Sequence, residues 1–266
     1  MKKINWHRLF GLTLMDWLAG SNYQVELEKE LSLKKQYLDV VIIRKTTGKP
    51  LTEIPVGLET LNEHNLLTYK SLREPLDEWA IEELIGHYTN YRKLVSPSLE
   101  ELLPASQFQL YAISTRYPQQ LLSKKIDFKE TQTGVFDLMW GTRFIRLIVL
   151  SRVSLGEHNA LWLLFSGQER GFKYGDQHYH WHQPSERAVL KQLYELYQQE
   201  GVVMPYTMED FERDFTREHL HLLSSEERLK GLPPEERLKG LPPEERLKGL
   251  SPEMIEAYLS ILKRKD

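Results

Sequence analysis

The sequence predicts an α/β protein in which a mixed β-sheet is flanked by helices and followed by a helical repeat tail. Three patterns favour this class: an amphipathic helix at the start, six segments with the composition of strands, and a long amphipathic helix after the third of them. Helices interspersed with strands are typical of α/β folds. Because 266 residues with 41% hydrophobic content can build one sizeable core, we expect a main domain over residues 1–205 and a helical, nonapeptide-repeat tail over 206–266.

The individual elements follow from the spacing of apolar residues. From Trp6 to Leu18 these residues recur every three or four positions, as in an amphipathic helix. β-branched and alternating segments predict strands over 24–32, 36–45, 64–71, 108–115, 133–141 and 143–153. Helical spacing predicts helices over 73–95, 158–166, 186–199 and 208–223.

The end of the chain repeats with a period of nine. The units EERLKGLPP, EERLKGLPP and EERLKGLSP occupy residues 226–252. Each unit begins with two glutamates, continues with an arginine and a lysine, and then has a glycine, which is the order that a short helix prefers. Since one helical turn is marginal by itself, we interpret the tail as a spacer or as an arm that contacts a protein partner, with docking onto the main domain as the alternative.

Composition excludes several classes of protein. The chain has no cysteine, which excludes disulfides, thiolate nucleophiles and cysteine-bound metals. The net charge of −3 argues against a globally basic nucleic-acid-binding protein, but not against a local basic patch. No apolar run approaches the ~20 residues of a membrane span, and His7, Arg8 and Asp16 interrupt the apolar start of the chain, unlike a signal peptide. We therefore expect a cytoplasmic protein without a membrane partner.

Asp39, Thr68 and Lys70 are the residues on which a functional interpretation depends. Asp39 lies in a strand of apolar residues, where an ionised carboxylate needs a cation, a metal or a hydrogen-bond donor. Lys70 ends the following strand, and Thr68 shares its face because side chains alternate with a period of two. If the two strands are neighbours, the three side chains meet at one polar end of the sheet. The residues alone also allow a simple Asp39–Lys70 ion pair, or no contact.

The order of a first helix, a hairpin containing LDVVIIRK, the strand HNLLTYKS and a following helix resembles the PD-(D/E)XK nuclease fold. The resemblance covers residues 4–115. More narrowly, the chain resembles the bacterial recombination-promoting nuclease and transposase-like group, which includes cyanobacterial members with EERLKGLPP-type tails. It implies a restriction-endonuclease-like fold with Asp39, Thr68 and Lys70 at the catalytic positions. It also implies hydrolysis of DNA phosphodiesters assisted by Mg²⁺ or Mn²⁺, with the lysine near the attacking water.

This sequence departs from the family pattern because Thr68 stands where the family has an acid, and Leu38 where it usually has proline. A threonine hydroxyl is neutral, so a second metal-binding carboxylate has to come from elsewhere. We predict Asp39 and Glu28 as the metal ligands, since Glu28 lies across the predicted hairpin from Asp39. The other candidates for the second acid are Glu26 on the same strand, Glu78, Glu82 and Glu83 on the crossing helix, and Asp16 on the first helix.

Three further motifs allow a functional and a structural interpretation. His87 and Tyr91 loosely resemble a Gln-x-x-x-Tyr pair of the nuclease fold, with a place at the edge of the core as the alternative. His178, His180 and His182 would share one face of a strand, as zinc ligands do, but their loop-like surroundings also suit an aromatic hairpin edge. The basic residues that suit DNA phosphates, or a solvated surface, are Lys34, Lys35, Arg44, Lys45, Lys49, Arg92, Lys93, Lys124 and Lys125.

The sequence thus supports two hypotheses. The first is a metal-dependent DNA endonuclease linked to recombination or mobile elements. The second is a catalytically decayed nuclease fold that acts as a nucleic-acid-binding or protein-interaction module, with a homodimer and a protein partner of the tail both open.

Overall fold

The computed structural model describes residues 6–30, 37–124, 127–182, 188–202, 213, 216–217, 220 and 223–262; at positions 28–30, 37, 127, 188, 258 and 262 it describes the backbone alone. The chain divides into two compact units, Met1–Pro205 and Tyr206–Asp266. Within the described residues, no helix is both long and apolar enough to cross a membrane.

Seven strands of the described residues form one mixed sheet in the first unit. They are β1 (Tyr23–Glu30), β2 (Tyr37–Arg44), β3 (His64–Lys70), β4 (Phe108–Ser114), β5 (Asp127–Gln132), β6 (Val135–Trp140) and β7 (Arg143–Val149). Their order across the sheet is β1-β2-β3-β4-β7-β6-β5. The β3–β4 and β4–β7 pairs are parallel, and the other pairs are antiparallel.

Helices lie on both sides of this sheet. They are α1 (Trp6–Trp17), α2 (Glu78–Val95), α3 (Gln119–Leu122), α4 (Ala160–Leu163), α5 (Glu169–His178) and α6 (Ala188–Gln199). Leu84 of α2 belongs to the same buried cluster as Leu66 of β3. Phe10 of α1 stacks on Tyr69 of β3, with ring centroids 4.2 Å apart. Because Leu66 and Tyr69 point to opposite faces of the strand, α1 and α2 cover opposite faces, and the predicted mixed sheet flanked by helices is confirmed.

The ends of α2 follow from its sequence. The Asp77 side chain accepts the backbone N–H of Ala80 at 3.0 Å, which satisfies one of the free donors at the start of the helix. Arg92 and Lys93 lie in the last turn, where cations are favoured. On α1, a side chain at Gly11 would overlap Leu27 of β1, so glycine permits the close approach of this helix to the sheet.

Strand β5 and helices α3 and α5 were not predicted from the sequence. Strand β5 was not predicted because its sequence, DFKETQ, is polar and lies at the edge of the sheet. Helix α5 was not predicted because its two glycines are typical of a loop. In the structure these glycines allow α5 to pack closely on α4: a Cβ on Gly175 would lie 2.8 Å from the carbonyl oxygen of Ala160. The helix predicted over 208–223 lies mostly outside the described residues.

The second unit contains the repeats. Its described helices are α7 (Ser225–Leu229), α8 (Pro234–Arg237), α9 (Pro243–Arg246) and α10 (Pro252–Leu262). Each of the first three is about one helical turn. Ser224 and Glu227 form a reciprocal capping box at the start of α7, and prolines occupy the corresponding positions of α8 and α9.

Candidate functional site

The candidate site lies where strands β2 and β3 stop pairing. Their paired residues run from Ile43–His64 to Val40–Leu67. Immediately beyond the last pair, the Asp39 carboxylate accepts two hydrogen bonds at its Oδ2 atom, from the Tyr69 backbone N–H at 2.8 Å and from the Thr68 hydroxyl at 3.0 Å. The side chain of Asp39 therefore links β2 to β3 by hydrogen bonds at the point where the backbone hydrogen bonds between the two strands end.

Helix α1 contributes a histidine that bridges two carboxylates. The His7 ring donates from Nδ1 to Asp39 Oδ1 at 2.6 Å and from Nε2 to Glu74 Oε2 at 3.1 Å. Because both partners are carboxylates, which accept and do not donate when ionised, both ring nitrogens carry a proton. The array Asp39–His7–Glu74 is thus a cation between two anions.

The pKa values of the array agree with this assignment. Burial lowers the pKa of His7, but the hydrogen bonds and charges of Asp39 and Glu74 outweigh it and raise the pKa to about 10. The hydrogen bond from His7 is the main cause that holds the pKa of Glu74 at about 2. At neutral pH His7 is therefore an imidazolium and Glu74 is a carboxylate.

Glu74 is itself fixed by the turn that follows β3. Its Oε2 atom accepts the backbone N–H of Ser71 at 3.2 Å and the Ser71 hydroxyl at 2.9 Å. The turn thus brings Glu74, four residues after Lys70, into contact with His7 of helix α1. Sequence reasoning missed both His7 and Glu74; the signal that it overlooked was a histidine on the otherwise apolar face of the first helix.

Within the described residues, Lys70 forms no ion pair with Asp39. The cation that binds the Asp39 carboxylate is His7. The Lys70 side chain has no hydrogen bond or ion pair within the described residues, although it lies close enough to lower the pKa of His87. Burial is the main cause of the lowered His87 pKa, and the charges of Glu83 and Asp39 oppose it. Asp39 and Lys70 therefore both lie within electrostatic range of the buried His87.

The acidic residues that could supply the second metal-binding carboxylate lie on strand β1 and helix α2. Glu28 occupies the backbone position between the pairs Leu27–Val40 and Lys29–Leu38, level with Asp39, but its side chain lies outside the described part of the structure. Glu78 forms an ion pair with Lys124 at 2.6 Å. Glu82 and Glu83 are exposed on α2, and the Glu26 side chain is partly buried on β1.

Asp16 belongs to a different site. It lies nine residues after His7 on α1, about 13 Å along the helix axis at 1.5 Å per residue. Its carboxylate accepts the Tyr179 hydroxyl at 2.9 Å and the His182 backbone N–H at 3.1 Å. Asp16 therefore fastens the segment after α5 to α1 and does not join the Asp39 array.

The described donor set does not fit Mg²⁺. This ion takes about six oxygen ligands and favours carboxylates whose charge is free to face it. Here both oxygens of Asp39 already accept hydrogen bonds, an imidazolium compensates its charge, and Thr68 supplies a neutral hydroxyl. Across the described residues, no group of three or more His, Asp or Glu side chains is arranged to hold a metal ion.

The HYHWH histidines do not share the face of a strand. His178 ends helix α5, and His180 and His182 follow it in an irregular segment. They line a cavity of about 380 Å³ together with His158, Lys49 and Glu53. The His178 ring donates from Nδ1 to the Tyr174 carbonyl at 2.9 Å, which stabilises the end of its own helix.

Tyr91 and the basic residues are mostly used in structural contacts. The Tyr91 hydroxyl lies 3.2 Å from His64 Nδ1, and its ring is buried in the core, as the structural alternative predicted. Arg44 binds Tyr23 and Glu63, whereas Lys45 and Lys49 are exposed. The positions Lys34, Lys35 and Lys125 lie outside the described residues.

Comparisons of the chain with protein-family models, with curated proteins and with solved structures gave no match.

Proposed function

We propose that this chain binds nucleic acid on a nuclease-like fold of the PD-(D/E)XK type in which the Asp39–His7–Glu74 array has replaced the hydrolytic site. The order of elements supports the fold assignment. Helix α1 precedes the antiparallel strands β1, β2 and β3, and α2 crosses to β4, which is parallel to β3. This is the order that the sequence resemblance implies, and Asp39, Thr68 and Lys70 lie at the expected strand end.

The observation that carries the proposal is the double engagement of Asp39. Metal-assisted hydrolysis needs carboxylates that face a cation with free lone pairs. Asp39 instead faces the His7 imidazolium at 2.6 Å, and the acid of the family pattern is replaced by Thr68, which donates its hydroxyl to the same carboxylate. A carboxylate arranged in this way stabilises the strand end and leaves little charge for a divalent ion.

Lys70 supports a role in binding a nucleic-acid backbone. Its amine has no ion-pair partner among the described residues, whereas the exposed Lys45 and Lys49 follow the opposite end of β2 and do not extend the surface around Lys70. Each lysine that contacts a phosphate releases counterions, so such binding weakens as the salt concentration rises.

The second candidate is the metal-dependent DNA endonuclease. It is favoured by Glu28, whose backbone is level with Asp39, and by Lys70 at the position of the family lysine. If Glu28 supplies the second carboxylate and His7 turns away, Mg²⁺ or Mn²⁺ would polarise the scissile phosphate and supply the attacking hydroxide.

A binding and a cleavage assay on the same preparations separate the two candidates. We expect the purified chain to bind fluorescent duplex DNA by anisotropy, with weaker binding in Lys70→Ala and at raised salt, and with no change on adding Mg²⁺. The matched control is Lys129→Ala on the edge strand β5, four strands away from β3. Equal affinity of both variants for DNA, or no binding by the native chain, would contradict the binding proposal.

Plasmid cleavage tests the endonuclease candidate. We expect no nicking of supercoiled DNA in Mg²⁺ or Mn²⁺ by the native chain. Cleavage that disappears in both Asp39→Ala and Lys70→Ala would instead establish the endonuclease. The variant Thr68→Glu restores the acid of the family pattern, and gain of nicking in it would show that the fold descends from an active nuclease.

A further inference from the structure

The repeat tail forms a periodic structure with the same backbone geometry in successive units. Arg228, Arg237 and Arg246 each donate from Nε to a leucine carbonyl five residues earlier, at 2.9, 2.8 and 2.7 Å. The glycine of each unit adopts the left-handed conformation, with φ values of 88°, 86° and 94°. Leucine follows each of these glycines, so every unit ends in the same turn and the next one begins in the same orientation.

This periodic structure exposes leucines at a regular spacing along the tail, which we call the leucine row. Each unit contributes two leucines, and these six side chains are between 37% and 46% exposed. They are Leu229, Leu232, Leu238, Leu241, Leu247 and Leu250. Helix α10 continues the pattern with Met254, Leu259 and Ile261, which are more exposed still. An apolar row of this length in an otherwise charged segment is typical of an interaction surface.

The charges that flank the row are segregated within each unit. Two glutamates lie at its start, and an arginine and a lysine lie towards its middle, so each unit is neutral but polar along the chain. Two tails aligned in parallel and in register would place glutamate on glutamate. Two tails aligned antiparallel place the acidic start of each unit opposite the basic part of a partner unit, and the period of nine repeats this match along the whole segment.

We infer that the repeat tail is a self-association surface, and that its occupant is the tail of a second copy of this chain in antiparallel orientation. A two-fold axis makes such an interface isologous, so that every contact occurs twice. The leucine row supplies the buried apolar area, and the alternating charges set the direction and the register of the pair.

Charge-swapped tails test this pairing on the full chain. In the basic variant the six glutamates at 226, 227, 235, 236, 244 and 245 become lysine. In the acidic variant the six basic residues Arg228, Lys230, Arg237, Lys239, Arg246 and Lys248 become glutamate. By sedimentation equilibrium we expect the native chain to dimerise, each variant alone to dimerise at least ~tenfold more weakly, and an equimolar mixture of the two to form heterodimers.

A leucine variant keeps the test independent of the effect of charge on the short helices. The triple change Leu229→Ser, Leu238→Ser and Leu247→Ser is expected to dissociate the dimer, whereas Leu94→Ser with Leu99→Ser, at exposed positions of the first unit, leaves it intact. A native chain that stays monomeric over the whole concentration range would overturn the inference. So would a mixture of charge-swapped variants that fails to associate, or charge-swapped variants that each associate as strongly as the native chain.

Discussion

The two ends of helix α1 contact two carboxylates, the partly buried Asp39 and the buried Asp16, by different means. Near its start, His7 gives Asp39 a cationic partner, and the array reaches the surface through Glu74, whose side chain is 45% exposed. Near its end, the Asp16 side chain is fully buried and accepts hydrogen bonds from the Tyr179 hydroxyl and the His182 backbone N–H, and the His182 ring nitrogen Nδ1 lies 3.6 Å from its Oδ2 atom. Asp39 is therefore hydrogen-bonded to a titratable cation, whereas Asp16 accepts its hydrogen bonds from a phenol and a backbone amide, with an exposed histidine ring beside them.

The difference also appears in the partners. Burial raises the pKa of Tyr179, and the charge of Asp16 raises it further, so this phenol stays a neutral donor over the whole physiological range. The partner of Asp39 is instead His7, which loses its charge when the pH rises above its pKa of about 10. The phenol at one end of the helix thus stays neutral, whereas the histidine that binds the carboxylate at the other end titrates.

The largest expected effect is at the Asp16 end. Replacing Asp16 with alanine leaves the buried Tyr179 hydroxyl and the His182 N–H without an acceptor, and we expect the free energy of unfolding to fall by about 3 kcal/mol. Urea unfolding followed by circular dichroism measures this. Asp16→Asn keeps an acceptor oxygen and should lose less than the alanine variant; equal losses would show that hydrogen bonding at this end is not the cause.

The next effect distinguishes the two ends by pH. The folded-state pKa of His7 is about 10 against 6.5 in the unfolded chain, so its contribution is complete below pH 6.5 and is lost as pH rises towards 10. Glu74, with a folded-state pKa of about 2 against 4.5, contributes above pH 4.5 and loses its contribution as pH falls towards 2. The array is therefore most stabilising between about pH 4.5 and 6.5.

Urea unfolding at pH 6 and pH 9 checks this against a variant. The native chain should lose about 2 kcal/mol more than His7→Gln between these pH values, because glutamine does not titrate. The Lys129→Ala variant, on the edge strand β5, keeps His7 and should follow the native pH dependence. A parallel pH dependence of the native chain and His7→Gln would remove His7 as the source of pH sensitivity.

A smaller effect is expected for Tyr179→Phe, which removes one of the neutral donors to Asp16. The His182 N–H still satisfies part of the carboxylate, so we expect a loss of about 1 kcal/mol in the free energy of unfolding. Tyr174→Phe, on helix α5, which ends immediately before Tyr179, and stacked on His178, serves as the control. A loss in Tyr179→Phe no larger than in this control would mean that the hydroxyl contributes nothing at the Asp16 site.

The smallest effect is expected at the Asp39 end for Thr68→Val. Its hydroxyl is one of three donors to Asp39, and the Tyr69 N–H and His7 remain. We expect a loss below about 1 kcal/mol, measured as above, with Thr68→Ser close to the native value. A loss larger than that of Asp16→Ala would reverse the ranking of the two ends.

Much of the sheet could be predicted from the sequence because its strands are apolar and locally consistent. The prediction over 36–45 matches β2, which is rich in β-branched residues, and that over 64–71 matches β3, a short apolar segment with leucine and tyrosine. The polar edge strand β5 carries no such signal. The glycines of α5 mislead a sequence interpretation, because their role is to let two helices approach and not to form a turn.

Some features of the candidate site could likewise be predicted from the sequence, and others could not. The unusual position of Asp39 in an apolar strand indicated that it needs a partner, and strand alternation put Thr68 and Lys70 on one face of the following strand. The identity of the cation did not follow. His7 lies 32 residues before Asp39 in the chain, and Glu74 lies in a turn, so only the packing of α1 across the sheet brings them together.

By itself the sequence determined the local elements and their burial, because helix and strand patterns depend on residues a few positions apart. It also determined the periodic tail, where each unit repeats the same local signals. The tertiary structure alone decided which charge neutralises Asp39 and which segment Asp16 fastens, since both depend on contacts between residues distant in the chain. These contacts, and not the pattern within any one element, decide what the end of the sheet can bind.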